Sequence, residues 1–207
     1  MRHPAKYTDT LLPILAEFLV DCGRILDPFA GTCKIRQVRL DAVCNELEWE
    51  WASIGNASNV GNALALPYRD GAFDAVATSC TYGNRMADRY DGRDGSRRNT
   101  YRCALGHDLH PANSGAMQWG EAYREFHVAA WRECWRVLRP GGRLVLNISD
   151  HIRKGKRIEV AQWHCDALQD IGFRFIIGRS AQTPRNGFGK NGNARVEHEQ
   201  VFVFEKE

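Results

Sequence analysis

Two short stretches and one acidic residue hold the residue types that handle a small charged ligand. The first stretch, ILDPFAGTCKI, places Asp27 at the end of an apolar run and follows it with Pro28, Phe29, Ala30, Gly31 and Thr32. Gly31 and Ala30 let a backbone approach a ligand closely, and the Asp27 carboxylate can accept a hydrogen bond from an ammonium group. Glu46 lies some 19 residues beyond Asp27, a spacing at which an acidic side chain commonly binds both hydroxyls of a ribose. The second stretch, ATSCTYGNR, gathers Ser79, Cys80, Thr81, Tyr82, Asn84 and Arg85 at the end of another apolar run. A glycine turn after a strand also serves nicotinamide and flavin enzymes, or a plain tight bend, so the first stretch alone leaves the ligand open.

Metal chemistry finds no support. His107 and His110 have no third ligand at a recognisable spacing, and the seven cysteines are an odd number scattered without a CxxC pair, which indicates neither a zinc ribbon nor a disulfide framework. Unpaired cysteines point to a reducing cytoplasm. No apolar run approaches the roughly 20 residues that span a bilayer, so a membrane partner is not expected. The first twenty residues have a basic start and an apolar stretch, but Asp9, Pro13 and Glu17 interrupt it and no small-residue cleavage site follows; an amphipathic first helix is expected instead of a signal peptide.

The 207 residues, 43% hydrophobic and 26% charged, suit one soluble domain over 1–207. Short apolar runs alternate with helix-period stretches, the pattern of βαβ units. The fold expected is α/β: a single, doubly wound, mainly parallel seven-stranded sheet with an antiparallel edge strand. Strands are expected at Arg24 to Leu26, Ala42 to Cys44, Ser58 to Val60, Phe73 to Thr78 and Arg143 to Ile148, and two more at Phe173 to Ile177 and Val196 to Phe204. Helices are expected from about Gly120 to Val137, with Tyr123, Phe126, Ala130, Cys134 and Val137 on one face, and from Val160 to Ile171. RPGG reads as the turn between the first of these and the fifth strand. Ligands of such sheets bind beyond the carboxyl ends of the strands, which is where both chemical stretches fall.

Taken with their surroundings, these stretches resemble the class I methyltransferases that use S-adenosylmethionine, in particular the amino-methyltransferase branch, whose cofactor loop is similar to Asp-Pro-Phe-x-Gly-x-Gly. HPAKYT, from His3 to Thr8, resembles the family's N-terminal cofactor motif, and RPGGRLVLNISD its segment leading into the fifth strand. The resemblance runs from His3 to about Asp150. It implies S-adenosyl-L-methionine as cofactor, with Asp27, Phe29, Ala30, Gly31 and Thr32 around the methionine part, Glu46 on the ribose, Asn62 with Ala63 beside the adenine, and Lys6, Tyr7 and Thr8 of the N-terminal motif as further cofactor-binding residues. Cys33 stands where the family has its last loop glycine; at a positive φ it would cost about 1 kcal/mol.

The same resemblance gives ATSCTYGNR a role, because the family carries Asp-, Asn- or Ser-Pro-Pro-Tyr there. An exocyclic base nitrogen is a poor nucleophile while its lone pair is delocalised into the ring. Hydrogen bonds that hold the two amino protons out of plane localise that pair. Ser79 and the Cys80 carbonyl fill those roles, and Tyr82 stacks on a base taken out of the duplex. Cys80 and Thr81 replace the two prolines and remove their rigidity. Methylation at carbon 5 of cytosine also uses a cysteine at this strand end, but the Pro-Cys and Glu-Asn-Val elements of that family are absent.

The stretch 83–120 is a long insertion, and its Arg, Tyr, His and Trp content suggests that it faces substrate. Asn84, Arg85 and Thr81 are expected to touch the base or its phosphate. Arg97 and Arg98, with the basic stretch from Arg185 to Arg195, would form a phosphate-binding rim. The expected substrate is therefore the exocyclic amine of a base in DNA, cytosine ahead of adenine because Ser79 opens the motif. The alternatives are RNA, a nucleotide or another small molecule, or an inactive cofactor-binding module. Fewer than about 60 residues follow the fifth strand, most of them needed to finish the sheet, so target recognition falls to loops or to a second subunit of a homo-oligomer. The compact form resembles stand-alone enzymes of bacteria and their phages.

Overall fold

Strands whose side chains alternate between two apolar faces need cover on both, and the chain supplies it. The computed structural model describes residues 3–4, 7–88, 100–183 and 196–207. In chain order the elements are α1 (Leu12–Leu19), β1 (Ile25–Asp27), β2 (Val43–Glu46), α2 (Trp49–Gly55), β3 (Asn59–Val60), β4 (Phe73–Ser79), α3 (Tyr101–Leu105), α4 (Glu121–Val137), β5 (Leu138–Ile148), β6 (His151–Arg153), β7 (Lys156–Ile158), α5 (Val160–Ile171), β8 (Phe173–Gln182) and β9 (His198–Lys206). The seven-stranded sheet has the order β3-β2-β1-β4-β5-β9-β8. Neighbours from β3 to β5 run parallel, and β9 is antiparallel to both β5 and β8.

On β5, Leu144, Leu146 and Ile148 enter one core with α4 and α5, while Val145 enters a second core with Leu11, Leu15 and Leu19. Helix α4 buries Tyr123, Phe126, His127, Ala130, Trp131, Cys134 and Val137 at three- and four-residue spacing. Each large apolar side chain so buried contributes roughly 1.5–3 kcal/mol. Glu121 in the first turn and Arg136 in the last complement the helix dipole. Helix α5 spans the expected residues and stops at Gly172, whose N–H bonds the Gln169 carbonyl.

Three features differ from expectation. RPGG is not a separate turn: β5 begins at Leu138, and Arg139–Gly142 bulge out between the pairs Phe73 with Leu138 and Ala75 with Arg143. The closing pair is longer at β8, which runs on to Gln182. A small hairpin, β6 with β7, follows β5; Asp150 anchors it by accepting from Ala161 N and Arg157 Nε, both at 2.8 Å. Among the described residues no helix is long and apolar enough to cross a membrane, and no group of three or more His, Cys, Asp and Glu is placed to hold a metal ion.

Candidate active site

The cofactor-type loop is held from below by three side chains of the parallel strands. Asp27, at the end of β1, accepts from Phe29 N (3.1 Å), Thr78 Oγ1 (2.7 Å) and Tyr7 Oη (3.3 Å). Asn45 on β2 donates to the carbonyls of Pro28 (3.2 Å) and Gly61 (3.0 Å), and its own carbonyl accepts from Ala30 N (3.0 Å). Glu46 accepts from Gly31 N (2.7 Å) and Glu48 N (2.9 Å). Burial pushes Asp27 up to about 7 against the pull of its three donors, and raises Glu46 for the same reason. Gly31 sits at φ +53°, and a Cβ there would meet the His3 ring at 3.2 Å. Cys33 has φ +56° and is buried. The loop therefore carries the strain of a left-handed non-glycine residue, about 1 kcal/mol. Hydrogen bonding to Cys44 lowers the Cys33 thiol and raises that of Cys44.

Above this loop lies a cavity of about 360 Å³, within the ~300–1,000 Å³ of small-molecule sites. Phe29, Ala30, Gly31, Thr32, Glu46, Asn62 and Ala63 line it, together with Tyr7 and Thr8. His3 packs edge-on against Trp51 with ring centroids 4.3 Å apart, and lies 5.8 Å from Tyr101; all three reach the same cavity. The mixture of a close-approach glycine, a carboxylate, an amide and an aromatic wall fits an adenosyl amino acid. A side chain at position 31 would fill that cradle.

Ser79, Cys80, Thr81, Tyr82 and Asn84 form the other end of the cavity, so the two chemical stretches share one space. Ser79 Oγ and Tyr82 Oη are 3.3 Å apart, and Asn147 Nδ2 on β5 donates to both, at 3.1 and 3.2 Å. Thr81 Oγ1 bonds Ser114 Oγ at 3.0 Å. The turn lacks prolines, and a buried chain of hydrogen bonds braces it instead. Trp131 Nε1 donates to His164 Nδ1 (3.0 Å), which leaves the proton of the neutral ring on Nε2. That nitrogen donates to Tyr123 Oη (2.9 Å), and Tyr123 Oη donates to the Thr81 carbonyl. Burial pushes His164 well below its ordinary value and keeps the ring neutral. The Cys80 thiol is buried 3.8 Å from His164 Nε2, and burial raises it far above the usual thiol range.

Of the residues expected to bind cofactor, Asp27 alone among the described ones does not line the cavity; it is 1% exposed beneath the loop. Its three hydrogen bonds are spent on positioning the loop. Lys6, Arg97, Arg98 and the stretch 185–195 lie outside the described residues, as does the Arg85 side chain. From the insertion, Tyr101, Ala112, Asn113 and Ser114 reach the cavity, and Glu48 ties that segment down by accepting from His110 N (2.8 Å) and Asn113 Nδ2 (2.7 Å). Sequence reasoning missed Trp51, Phe126 and Glu199, which also line the cavity, and it named His3 only as the first residue of HPAKYT. For Glu199 the signal was there: it shares one face of β9 with buried Val201 and Val203.

No protein-family model matches the chain. A type II methyltransferase, M.MthZI, from Methanothermobacter thermautotrophicus is 37% identical over 90 residues, covering 37% of this chain and 25% of that protein. The chain thus spans about a quarter of the length of the curated relative it matches. Among solved structures, a SAM-dependent methyltransferase from Methanosarcina mazei superposes with TM-score 0.58 at 14% identity, covering 94% of this chain and 97% of that one. A SAM-dependent methyltransferase from Thermotoga maritima, described as a possible histamine N-methyltransferase, gives 0.53 at 17%, covering 95% and 87%. The cyclase SpnF gives 0.58 at 17%, covering 96% and 81%. The fold is that of the class I S-adenosylmethionine-dependent methyltransferases. In sequence, the likeness is to a type II methyltransferase.

Proposed function

We propose that this protein is an S-adenosylmethionine-dependent methyltransferase that methylates the exocyclic amino group of a base in DNA, cytosine ahead of adenine. The observation that carries the reading is the single cavity with the glycine loop at one end and Ser79–Tyr82 at the other. When bound, the cofactor supplies an electrophilic methyl group on sulfur. Gly31 admits it, Glu46 and Asn62 orient its nucleoside, and Asp27 and Asn45 keep the loop in shape. Ser79 Oγ and the Cys80 carbonyl accept the two amino protons and turn the nitrogen lone pair out of the ring plane. Tyr82 flanks the base.

Two points favour this over the nearest alternatives. Carbon-5 methylation needs a thiolate nucleophile, and Cys80 is buried, raised by burial and directed at His164. The sequence likeness to a type II methyltransferase favours DNA over a small molecule, while a cyclase of the same fold shows that the fold leaves the substrate open. Arg97, Arg98 and the basic stretch toward the C-terminus complete the reading as a phosphate rim; each phosphate neutralised on duplex DNA adds about 0.9 to the slope of log affinity against log salt. Tritiated methyl transfer offered to DNA, RNA and free nucleotides in parallel tests the reading. Label in DNA, with steeply salt-dependent binding, is the expected result. Label confined to nucleotides or RNA would replace the substrate, and cofactor binding without any transfer would leave a binding module.

A further inference from the structure

A carboxylate sits in the cavity that the chemistry above does not use. Glu199, the second residue of β9, is 5% exposed and lines the cavity beside Ser79 and Tyr82. Its Oε2 accepts from Asn147 Nδ2 at 3.0 Å and from Tyr82 Oη at 3.5 Å. Ionised carboxylates are costly to bury, and an apolar side chain there would pack beside Val201 and Val203 without that cost. Asn147 turns its Nδ2 toward this group although its Oδ1 is thereby buried with no partner among the described residues. A packing role calls for neither the charge nor the orphaned oxygen.

The carboxylate also fixes the direction of the hydrogen bonds. An ionised carboxylate only accepts, so Tyr82 Oη points its proton at Glu199. Tyr82 Oη then accepts the Ser79 proton across their 3.3 Å separation. Ser79 Oγ, which also accepts from Asn147 Nδ2, keeps a lone pair for an amine proton in the cavity. Ser79, Tyr82 and Glu199 thus form a wire of two hydroxyls ending on a base.

We propose that Glu199 is the terminal proton acceptor of methyl transfer, reached through Ser79 and Tyr82; the proposal rests on amine methylation as read above. The substrate nitrogen forms its bond to the methyl carbon as the carbon–sulfur bond breaks and its electron pair leaves with sulfur, so the nitrogen becomes positive. It is neutralised when one of its protons passes to Ser79 Oγ, the Ser79 hydroxyl proton passes to Tyr82 Oη, and the Tyr82 proton passes to Glu199 Oε2. Both hydroxyls are restored, the product is a neutral methylamine, and Glu199 is left as the acid until it loses the proton to solvent.

The test compares single-turnover transfer by wild type and Glu199→Gln on DNA oligonucleotides, from about pH 5 to 9, with the methylated base identified by mass spectrometry. Glutamine keeps the size and an acceptor for Asn147 but cannot take the proton. Wild type should slow toward acid pH, and the variant should lose that limb and fall about 100-fold or more, with cofactor affinity by calorimetry unchanged. Infrared difference spectra during turnover should show a carboxylic-acid band in wild type that the variant lacks. Glu199→Asp, which keeps an acid one methylene back, should retain the acid limb at a reduced rate and covers the case in which glutamine disturbs folding. A methylated exocyclic amine from wild type together with an unchanged rate and pH profile in Glu199→Gln overturns the proton wire and leaves amine methylation standing. No such product from wild type overturns both.

Discussion

Replacing Asp27 by asparagine separates the charge of this buried group from its hydrogen bonds. The amide oxygen still accepts from Phe29 N and Thr78 Oγ1, and the amide nitrogen faces Tyr7 Oη as a protonated carboxyl would. Burial raises Asp27 from 3.8 to about 7, so the carboxyl is protonated in the fold over a range where it is ionised in the unfolded chain. A folded value above the unfolded one means that the contribution is fully present below about pH 4 and is lost as pH rises through about 7. At about 1.4 kcal/mol per tenfold change in proton affinity, the loss reaches about 4 kcal/mol. His127, pushed down to about 4 by burial, and His164, pushed well below its ordinary value, act in the opposite sense, losing stability as pH falls below their ordinary 6.5. Wild-type stability alone therefore mixes both trends, and the difference between variant and wild type isolates Asp27. Urea unfolding of both proteins at a series of pH values should give a difference near zero at about pH 4 that grows to favour Asp27→Asn by up to about 4 kcal/mol at about pH 8. A flat difference, or a variant less stable than wild type at the alkaline end, would refute the reasoning.

Three further outcomes follow from the site. Gly31→Ala forces a side chain into a left-handed backbone and against the His3 ring; it should cost about 1–2 kcal/mol of stability and weaken S-adenosylmethionine binding about tenfold or more by calorimetry. Tyr123→Phe removes the bond to the Thr81 carbonyl and strands the His164 Nε2 proton; stability should fall by about 1–3 kcal/mol and kcat about tenfold, with cofactor affinity unchanged. Cys80→Ser should remain active, and wild type should form no denaturation-resistant adduct with DNA containing 5-fluorocytosine, because the Cys80 thiol is buried and raised by burial.

What the sequence made legible was chemistry carried on contiguous residues. The loop from Asp27 to Thr32 and the turn from Ser79 to Tyr82 each follow a strand end, and the parallel order of β1 and β4 brings them to one cavity. The positive φ at Cys33 was conditional in the sequence and is present in the fold. Less legible was everything assembled across the chain. The aromatic wall joins His3, Trp51 and Tyr101, three elements that no spacing relates. The brace under the turn joins α4 to α5, although His164 could have been noticed on the buried face that also holds Val160, Ala161, Ala167 and Leu168. Glu199 falls inside the expected strand from Val196 to Phe204 without being singled out, and the period-two face it shares with Val201 and Val203 marks it as interior. The hairpin β6–β7 is short and polar, so no apolar alternation announced it.

The most direct measurement of the central claim is to incubate the protein with DNA and S-adenosylmethionine carrying an isotopically labelled methyl group, digest the DNA to nucleosides, and locate the label by mass spectrometry. Label on the exocyclic nitrogen of cytosine, or of adenine, is the expected result, and it should vanish when Tyr82 is replaced by alanine while cofactor affinity stays nearly intact. Label on carbon 5 of cytosine, or DNA left unlabelled by a protein that binds the cofactor, would contradict it.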